Sequence, residues 1–421
     1  MGAELKNKLW TRDFSIITIG SIISMLGNAV SGFAIGLVVL DYTKSTFLYA
    51  FFMVMYSLPQ IIVPLIAGPY LDKYSRKKVI YTLDFLSSFL FMLVFLFLHK
   101  EFFNYYLLIV ISIIMGTIDG IYQVAYESFY PNLISEGNYS KAYSISSMIY
   151  PLSECMVPVA ALIYNKIGTT SYLFLFNSLT FFIAACFETR IKYKEEHMNN
   201  KNGEELQKST YKEDFKEGLN YIKVEKGLLV ITVYFCLSTL TGCAAGTVLL
   251  PFFKNNPQLF TSSSIDVVTL YTLVMGAGIN GRLIGGFIHY KFKYPKDKKF
   301  LIAIIVYTSI CFIEGGALFM PISIMMLCYF TSGIMGVTSF NIRISATQSY
   351  VPDNKRGRFN GIFQMVCVVG GIIGQLLAGA MAEFISERRV VVIFMIFNLL
   401  AVIFIMYRGR NYVKEIYNRD V

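Results

Sequence analysis

Three ionisable residues lie deep inside long apolar stretches of this sequence, namely Asp119, Glu154 and Arg282. Because an ionisable side chain that faces hydrocarbon is costly, such residues are candidates for substrate binding or ion coupling. At the helical rise per residue, Asp119 and Arg282 lie about 10–12 Å from the nearer end of their stretches and Glu154 about 18 Å. A carboxyl group at such a depth can take up and release a proton, and an arginine can pair with it.

A cluster of charges separates two of the apolar stretches, between Gly68 and Lys78. Reversing a chain between two helices needs only a few polar residues, whereas this turn carries an acid, Asp72, and four basic side chains. The basic residues are Lys73, Arg76, Lys77 and Lys78. The charge density therefore indicates a function for the turn beyond connecting two helices.

The composition is that of a membrane protein. Of the 421 residues, 55% are hydrophobic and only 15% are charged, whereas soluble domains carry about 25% charged residues. The net charge of +10 does not indicate a partner nucleic acid, because the basic residues follow the membrane segments and do not form one face. The seven cysteines lie in apolar stretches without the spacing of metal ligands, so we expect no metal and no other cofactor.

Twelve apolar stretches are each long enough to cross a bilayer as a helix. They cover residues 14–40, 46–71, 79–98, 105–126, 142–165, 171–188, 227–252, 265–290, 300–319, 321–345, 358–383 and 390–407. If the N-terminus is cytoplasmic, 29 of the 37 Lys and Arg residues fall in cytoplasmic segments and 6 in external loops. This bias predicts a multi-pass protein of a bacterial-type cytoplasmic (plasma) membrane, with both termini in the cytoplasm.

One long polar segment divides the stretches six and six. We therefore predict an N-terminal six-helix bundle over 1–189, a cytoplasmic linker over 190–226, and a C-terminal bundle with a short tail over 227–421. The halves share a local pattern, since Gly68 precedes Arg76 by eight residues and Gly285 precedes Lys293 by the same interval. Such repeats are typical of transporters built from two homologous halves. The expected fold is all-α, with twelve transmembrane helices in two pseudo-symmetric bundles.

The turn from Gly68 to Lys78 resembles the signature between the second and third helices of the major facilitator superfamily, with Ser75 where that signature usually has glycine. The segment from Val351 to Gly361 is similar to the turn between helices 10 and 11 in one branch of that superfamily. This branch holds macrolide-efflux proteins and the enterobactin exporter. The resemblance covers the whole chain in layout and is specific in these two turns.

The resemblance implies that the charged turn acts as a latch between the halves. Asp72 would cap the start of span 11 near 357–360 in the outward-facing state, and Arg76 would pair with an acid at the end of a neighbouring helix. A contact made in only one state favours that state. The implied latch residues are Gly68, Asp72, Lys73, Arg76, Asp84, Gly357 and Arg358, with Asp84 joining through Arg76 or Lys77.

The resemblance also places spans 5 and 8 opposite each other. We therefore predict an ion pair between Glu154 and Arg282 that couples proton or substrate binding to transport, and a pair that only fixes helix packing is the alternative. Polar residues at depth are expected to line the cavity or to join helices, namely Asn28, Gln60, Gln123 and Gln364. Glu314 lies on peripheral span 9 without a predicted partner, and Glu188, at the end of span 6, is expected to be solvated.

Together these features predict a secondary active transporter that exports a hydrophobic or amphiphilic small molecule, such as a drug, a macrolide or a siderophore-like compound, by alternating access. The proton gradient is the expected energy source, because the sequence has no phosphate-binding P-loop motif. The few buried charges favour a lipophilic substrate. The expected partners are this substrate and the lipid bilayer, and the expected state is a monomer.

Two other functions stay open. A proton-coupled importer of a small nutrient is the first. The second is a transport-inactive sensor or assembly partner, because the span-4 arginine of the superfamily is absent and its span-5 motif is reduced to Val157 and Pro158. We do not expect an enzyme, since the three histidines are scattered and no catalytic acids pair at one interface.

Overall fold

The computed structural model describes residues 8–71, 74–135, 139–193, 195, 211–260, 265–291 and 295–419. In these ranges every extended regular element is a helix, which confirms the predicted all-α class. The helices are α1 (Arg12–Thr43), α2 (Thr46–Leu71), α3 (Arg76–His99), α4 (Tyr105–Phe129), α5 (Tyr139–Glu154), α6 (Met156–Ile167), α7 (Ser171–Glu188), α8 (Tyr211–Val224), α9 (Lys226–Asn255), α10 (Val267–Lys291), α11 (Lys299–Ala317), α12 (Ile322–Tyr350), α13 (Asp353–Ala382), α14 (Glu387–Ala401) and α15 (Arg410–Tyr417). Within the described ranges, 11 helical segments are long and apolar enough to cross a membrane.

The fifth predicted span differs from the others because it forms two shorter helices, α5 and α6, which meet at Cys155. Pro158 has no N–H and cannot bond to the carbonyl of Glu154, four residues earlier in the chain. At the break, the Cys155 N–H donates to the carbonyl of Leu152, three residues earlier, over 3.2 Å. An α-helix would bond it to the carbonyl four residues earlier, so the turn here is tighter. We interpret α5 and α6 together as one kinked crossing, which completes the predicted twelve.

The chain divides into two compact units. The first contains Met1–Lys44 and Phe52–Glu204, and the second contains Ser45–Phe51 and Glu205–Val421. The start of α2 belongs to the second unit, where the Glu383 carboxylate accepts hydrogen bonds from the Ser45 hydroxyl (2.7 Å) and the Phe47 N–H (2.8 Å). The division at 204–205 falls inside the segment predicted to be the linker.

Each unit contains a close crossing of two corresponding helices at a glycine. In the first unit, a Cβ on Gly116 of α4 would lie 2.1 Å from the Tyr56 carbonyl oxygen of α2. In the second unit, a Cβ on Gly281 of α10 would lie 2.0 Å from the Phe330 carbonyl oxygen of α12. The same span pairs, 2 with 4 and 8 with 10, therefore meet at glycine in both units, as expected for a repeat.

The helix α8 and the terminal helix α15 both pack on the second unit. Ile222 of α8 and Ile416 of α15 lie in the same buried cluster as Tyr234 and Phe300. Tyr417 lies in this cluster as well, and burial raises the pKa of its phenol well above the ordinary value. The linker and the tail are thus part of the structure of the second unit where they are helical.

Candidate functional site

Asp119 of α4 accepts hydrogen bonds from two side chains of α2. The Tyr56 hydroxyl donates to one carboxylate oxygen, and the Gln60 amide donates to the same oxygen over 3.3 Å. Tyr56 and Gln60 are four residues apart, so they share one face of α2. Gly116 and Gly120 share a face of α4 and allow the two backbones to approach. Among the described residues, the carboxylate is held by neutral donors and by no lysine or arginine.

This arrangement suits a group that changes its protonation state. A carboxylate paired with arginine must break an ion pair when it takes up a proton, whereas Asp119 need not. The Tyr56 hydroxyl and the Gln60 side chain can each accept as well as donate a hydrogen bond. Both can therefore adjust to a protonated Asp119. Gln60 was predicted as a polar residue at depth, whereas the role of Tyr56 was not predicted.

Glu154 and Arg282 lie in different units, so the ion pair between them stays a prediction. Within the second unit, the positive charge of Arg282 acts on the carboxylate of Glu314 on α11. Glu314 also accepts a short hydrogen bond from the Ser332 hydroxyl of α12. No partner of Glu314 was predictable from the sequence, because helical spacing does not show which side chains of separate helices meet.

The other polar residues predicted at depth make local contacts or are exposed. Asn28 of α1 accepts a hydrogen bond from the Asn177 amide of α7 over 3.4 Å, so it joins two helices of the first unit. Gln123 donates to Glu127, one turn later on α4, over 3.0 Å. Gln364 is an exposed residue of α13. Cavity roles for the three residues stay predictions.

The predicted latch is only partly within the described residues. Gly68 lies near the end of α2, and Gly357 lies near the start of α13. Asp72 and Lys73 lie outside the described residues, so the predicted capping of span 11 by Asp72 stays a prediction.

The start of α3, next to the charged turn, is capped by a residue from the predicted linker. The Glu195 carboxylate accepts hydrogen bonds from the Ser75 hydroxyl (3.2 Å) and from the N–H groups of Arg76 (2.9 Å) and Lys77 (2.8 Å). A helix N-terminus has unpaired N–H groups and a positive dipole end, both of which a carboxylate satisfies. The Arg76 side chain donates to the Ser128 carbonyl at the end of α4 over 3.1 Å. These bonds fix the second half of the turn within the first unit.

We expect Glu195→Ala to lower the stability of the purified protein. The substitution removes a cap that serves three donors, and loss of an N-terminal cap costs about 0.5–2 kcal/mol. The thermal midpoint in detergent measures the loss, with Glu127→Ala as the control because Glu127 is an exposed acid on α4. Equal midpoints for Glu195→Ala and the control would contradict the capping role.

Arg358 of the predicted latch pairs with helix α8. Its guanidinium lies 3.0 Å from the Glu217 carboxylate, and both side chains are partly exposed. One turn earlier in α13, the Lys355 ammonium lies 4.7 Å from the centre of the Tyr221 ring. Burial, and then the Glu225 carboxylate, raise the pKa of the Tyr221 phenol, so the ring is neutral near pH 7. The start of α13 is therefore held to α8.

Asp84, which was also assigned to the latch, is buried against Glu188 of α7. Asp84 is 1% exposed and Glu188 is 0% exposed, and the two carboxyl groups are within hydrogen-bonding reach. The prediction that Glu188 is solvated is wrong. The chain beyond α7 turns back over this end of the helix, with Ile191 buried and its carbonyl bonded to the Lys77 ammonium over 3.0 Å.

Arg343 of α12 lies among aromatic rings, which the sequence did not indicate. Its guanidinium lies 4.6 Å from the ring centre of Phe363 and 5.2 Å from those of Phe235 and Phe340. Aromatic faces attract a cation because their quadrupole is negative at the face. The rings thus stabilise a positive charge at this position in span 10.

Comparison with known proteins defines the class of protein. The sequence profile described as Major Facilitator Superfamily matches residues 17–375. A relative, the "Uncharacterized MFS-type transporter YkuC" of Bacillus subtilis (strain 168), is 26% identical over 289 residues, which are 67% of this chain and 66% of that protein. The chain thus spans slightly less than two thirds of this curated relative.

Solved transporters share the fold. The nucleoside transporter NupG has a TM-score of 0.71 at 11% identity, with 95% of this chain and 98% of that chain covered. A bacterial homologue of the human lysosomal transporter Spinster has a TM-score of 0.66 at 13% identity, with 97% of this chain and 98% of that chain covered. A bacterial homologue of the iron transporter ferroportin has a TM-score of 0.62 at 13% identity, with 96% of this chain and 99% of that chain covered. At these identities the likeness shows the fold alone.

The family match over residues 17–375 identifies a membrane transporter and not an enzyme. The chain belongs to the Major Facilitator Superfamily.

Proposed function

We infer that this transporter exports a hydrophobic or amphiphilic small molecule in exchange for protons. The observation that carries this proposal is the environment of Asp119, an acid at membrane depth held by the neutral donors Tyr56 and Gln60. Such an acid can load a proton on one side of the membrane and release it on the other without separating an ion pair. Buried ionisable groups of membrane proteins are commonly proton relays.

The substrate class and the direction rest on the sequence. Few charged residues lie within the spans, so a polyanionic substrate would find little to pair with, whereas an apolar molecule would be tolerated. The segment from Val351 to Gly361 resembles exporters, which supports outward transport. Nucleosides and iron are named for two proteins of the same fold, and fold likeness does not select between such substrates.

Inverted membrane vesicles that contain this protein would test the proposal. The vesicles are energised to acidify the lumen, and a pH-sensitive dye follows the gradient while lipophilic cations, macrolides and siderophore-like compounds are added in turn. We expect at least one compound to dissipate the gradient in vesicles with the protein and not in matched vesicles without it. Asp72→Asn is expected to weaken the response if the turn is a latch.

Two results would contradict the proposal. If intact energised cells accumulate a compound through the protein, it is an importer. If no compound moves the gradient or changes the thermal midpoint of the folded protein, the transport-inactive function is favoured.

A further inference from the structure

Two carboxylic side chains of the first unit are buried together. Asp84 of α3 and Glu188 of α7 are 1% and 0% exposed, and their carboxyl groups lie within hydrogen-bonding reach of each other. As carboxylates, both groups only accept hydrogen bonds. Three of their four oxygens, Asp84 Oδ2 and both oxygens of Glu188, have no hydrogen-bond donor.

Buried hydroxyl groups lie on the neighbouring helices. Tyr122 and Tyr126 of α4 act on Glu188, and both lie within hydrogen-bonding reach of the Ser21 hydroxyl of α1. Further buried hydroxyls on α1 and α3 are those of Thr18 and Ser87. Thr18 and Ser87 are 0% and 1% exposed, so solvent does not satisfy them. Gly20 of α1 lies against Glu188, since a Cβ there would be 3.1 Å from one carboxylate oxygen. The neighbours of the carboxyl pair therefore include the Tyr122 and Tyr126 hydroxyls and not hydrocarbon alone.

The charges around the pair are negative or absent. Asp84 and Glu188 act on each other, and Asp119 of α4 adds a further negative charge near Asp84. Besides Asp119, the titratable groups of α4 that act on the pair are the phenols of Tyr122 and Tyr126, which are neutral near pH 7. Among the described residues, no lysine or arginine acts on either carboxyl group.

Two ionised carboxylates in contact, buried and without a cation, are strongly unfavourable. Neighbouring hydroxyls or a water molecule can donate hydrogen bonds, but they do not cancel the charge. A single proton converts one carboxylate into a donor, which bonds to the other carboxylate and removes one of the two charges. This is the arrangement of paired acids that titrate as a unit.

We propose that Asp84 and Glu188 bind one shared proton, and that this proton site is distinct from Asp119. The pair lies on α3 and α7, whereas Asp119 bonds to α2, so the sites use different helices. The negative charge of Asp119 near Asp84 links them, because each added charge favours protonation of the other site. The proposal does not depend on the substrate or on the direction of transport.

Infrared spectroscopy of the purified wild-type protein at neutral pH tests the site directly. A protonated carboxylic acid has a carbonyl-stretching band that a carboxylate lacks. We expect such a band to shift when all glutamates, or all aspartates, are labelled with carbon-13 in the carboxyl group. The band should be lost in the double variant Asp84→Asn, Glu188→Gln and retained in Asp119→Asn.

The wild-type spectrum needs no variant, so it can overturn the proposal even if the double variant does not fold. Absence of a protonated-acid band from the wild type at neutral pH would overturn the proposal. A band that disappears only in Asp119→Asn would also overturn it. The spectra are recorded in choline chloride and in sodium chloride. If sodium removes the band and releases a proton, the pair binds the proton and Na⁺ in competition, and a site for the proton alone is overturned.

Discussion

Gly281→Ala is expected to lower the thermal midpoint of the protein by at least about 4 °C, whereas Gly286→Ala on the same helix is expected to leave it unchanged. A Cβ on Gly281 would lie 2.0 Å from the Phe330 carbonyl oxygen, a distance that real Cβ atoms do not show. The obstacle is backbone, so α10 and α12 must move apart. Overpacking of this kind costs roughly 1–3 kcal/mol, and a main-chain obstacle places the cost at the upper end.

The control, Gly286→Ala, makes the same substitution in the same helix. A Cβ on Gly286 would meet nothing within 4 Å, and alanine has the higher helix propensity in both cases. The thermal midpoints of the three proteins in one detergent measure the difference. If Gly281→Ala and Gly286→Ala have the same thermal midpoint, the close crossing of α10 and α12 is not a feature of the folded protein.

The spans were predictable because their signal is local. Continuous apolar stretches fixed the helices to within a few residues in most cases, as with α7, which ends at Glu188 where the stretch 171–188 ends. The break at Cys155 is also local in origin, since Pro158 removes one hydrogen bond. The helix α8 (Tyr211–Val224) lies within the segment that was predicted to be a linker.

The partners of the buried acids were not predictable, because they depend on which faces of separate helices meet. The depth of Asp119 was predictable from the sequence, but its donor Tyr56 was not. The four-residue spacing between Tyr56 and Gln60 was the available signal. Glu188 was misjudged for a related reason. Its position at the end of a span suggested solvent, yet the following residues fold back and bury it.

The role of Glu195 was also not predictable from the sequence, although this residue lies in a polar segment. Mixed charge around 190–226 indicates a solvated linker, and nothing in the local sequence singles out one glutamate. Its contact with the N-terminus of α3 joins residues about 120 positions apart in the chain. Long-range capping of this kind becomes visible only when the two segments are placed together.

Asp119→Asn is expected to abolish substrate-induced dissipation of the proton gradient, to the level of vesicles without the protein. Asparagine has nearly the same shape and still accepts a hydrogen bond from Tyr56, but it cannot bind and release a proton. The matched control is Glu127→Gln, which neutralises an exposed acid two turns later on the same helix. This control is expected to retain the wild-type response in the same dye assay.

A second variant separates proton coupling from packing. Tyr56→Phe removes one donor to Asp119 and leaves the carboxyl group in place. Loss of a donor destabilises the carboxylate relative to its protonated form, so Tyr56→Phe should shift the pH dependence of transport to higher pH without abolishing transport. Substrate binding to Asp119→Asn, measured as a rise in thermal midpoint, should persist, since the substitution changes coupling and not the apolar surroundings. If Asp119→Asn transports as the wild type does, the proton is carried elsewhere, and Glu154 becomes the residue to replace.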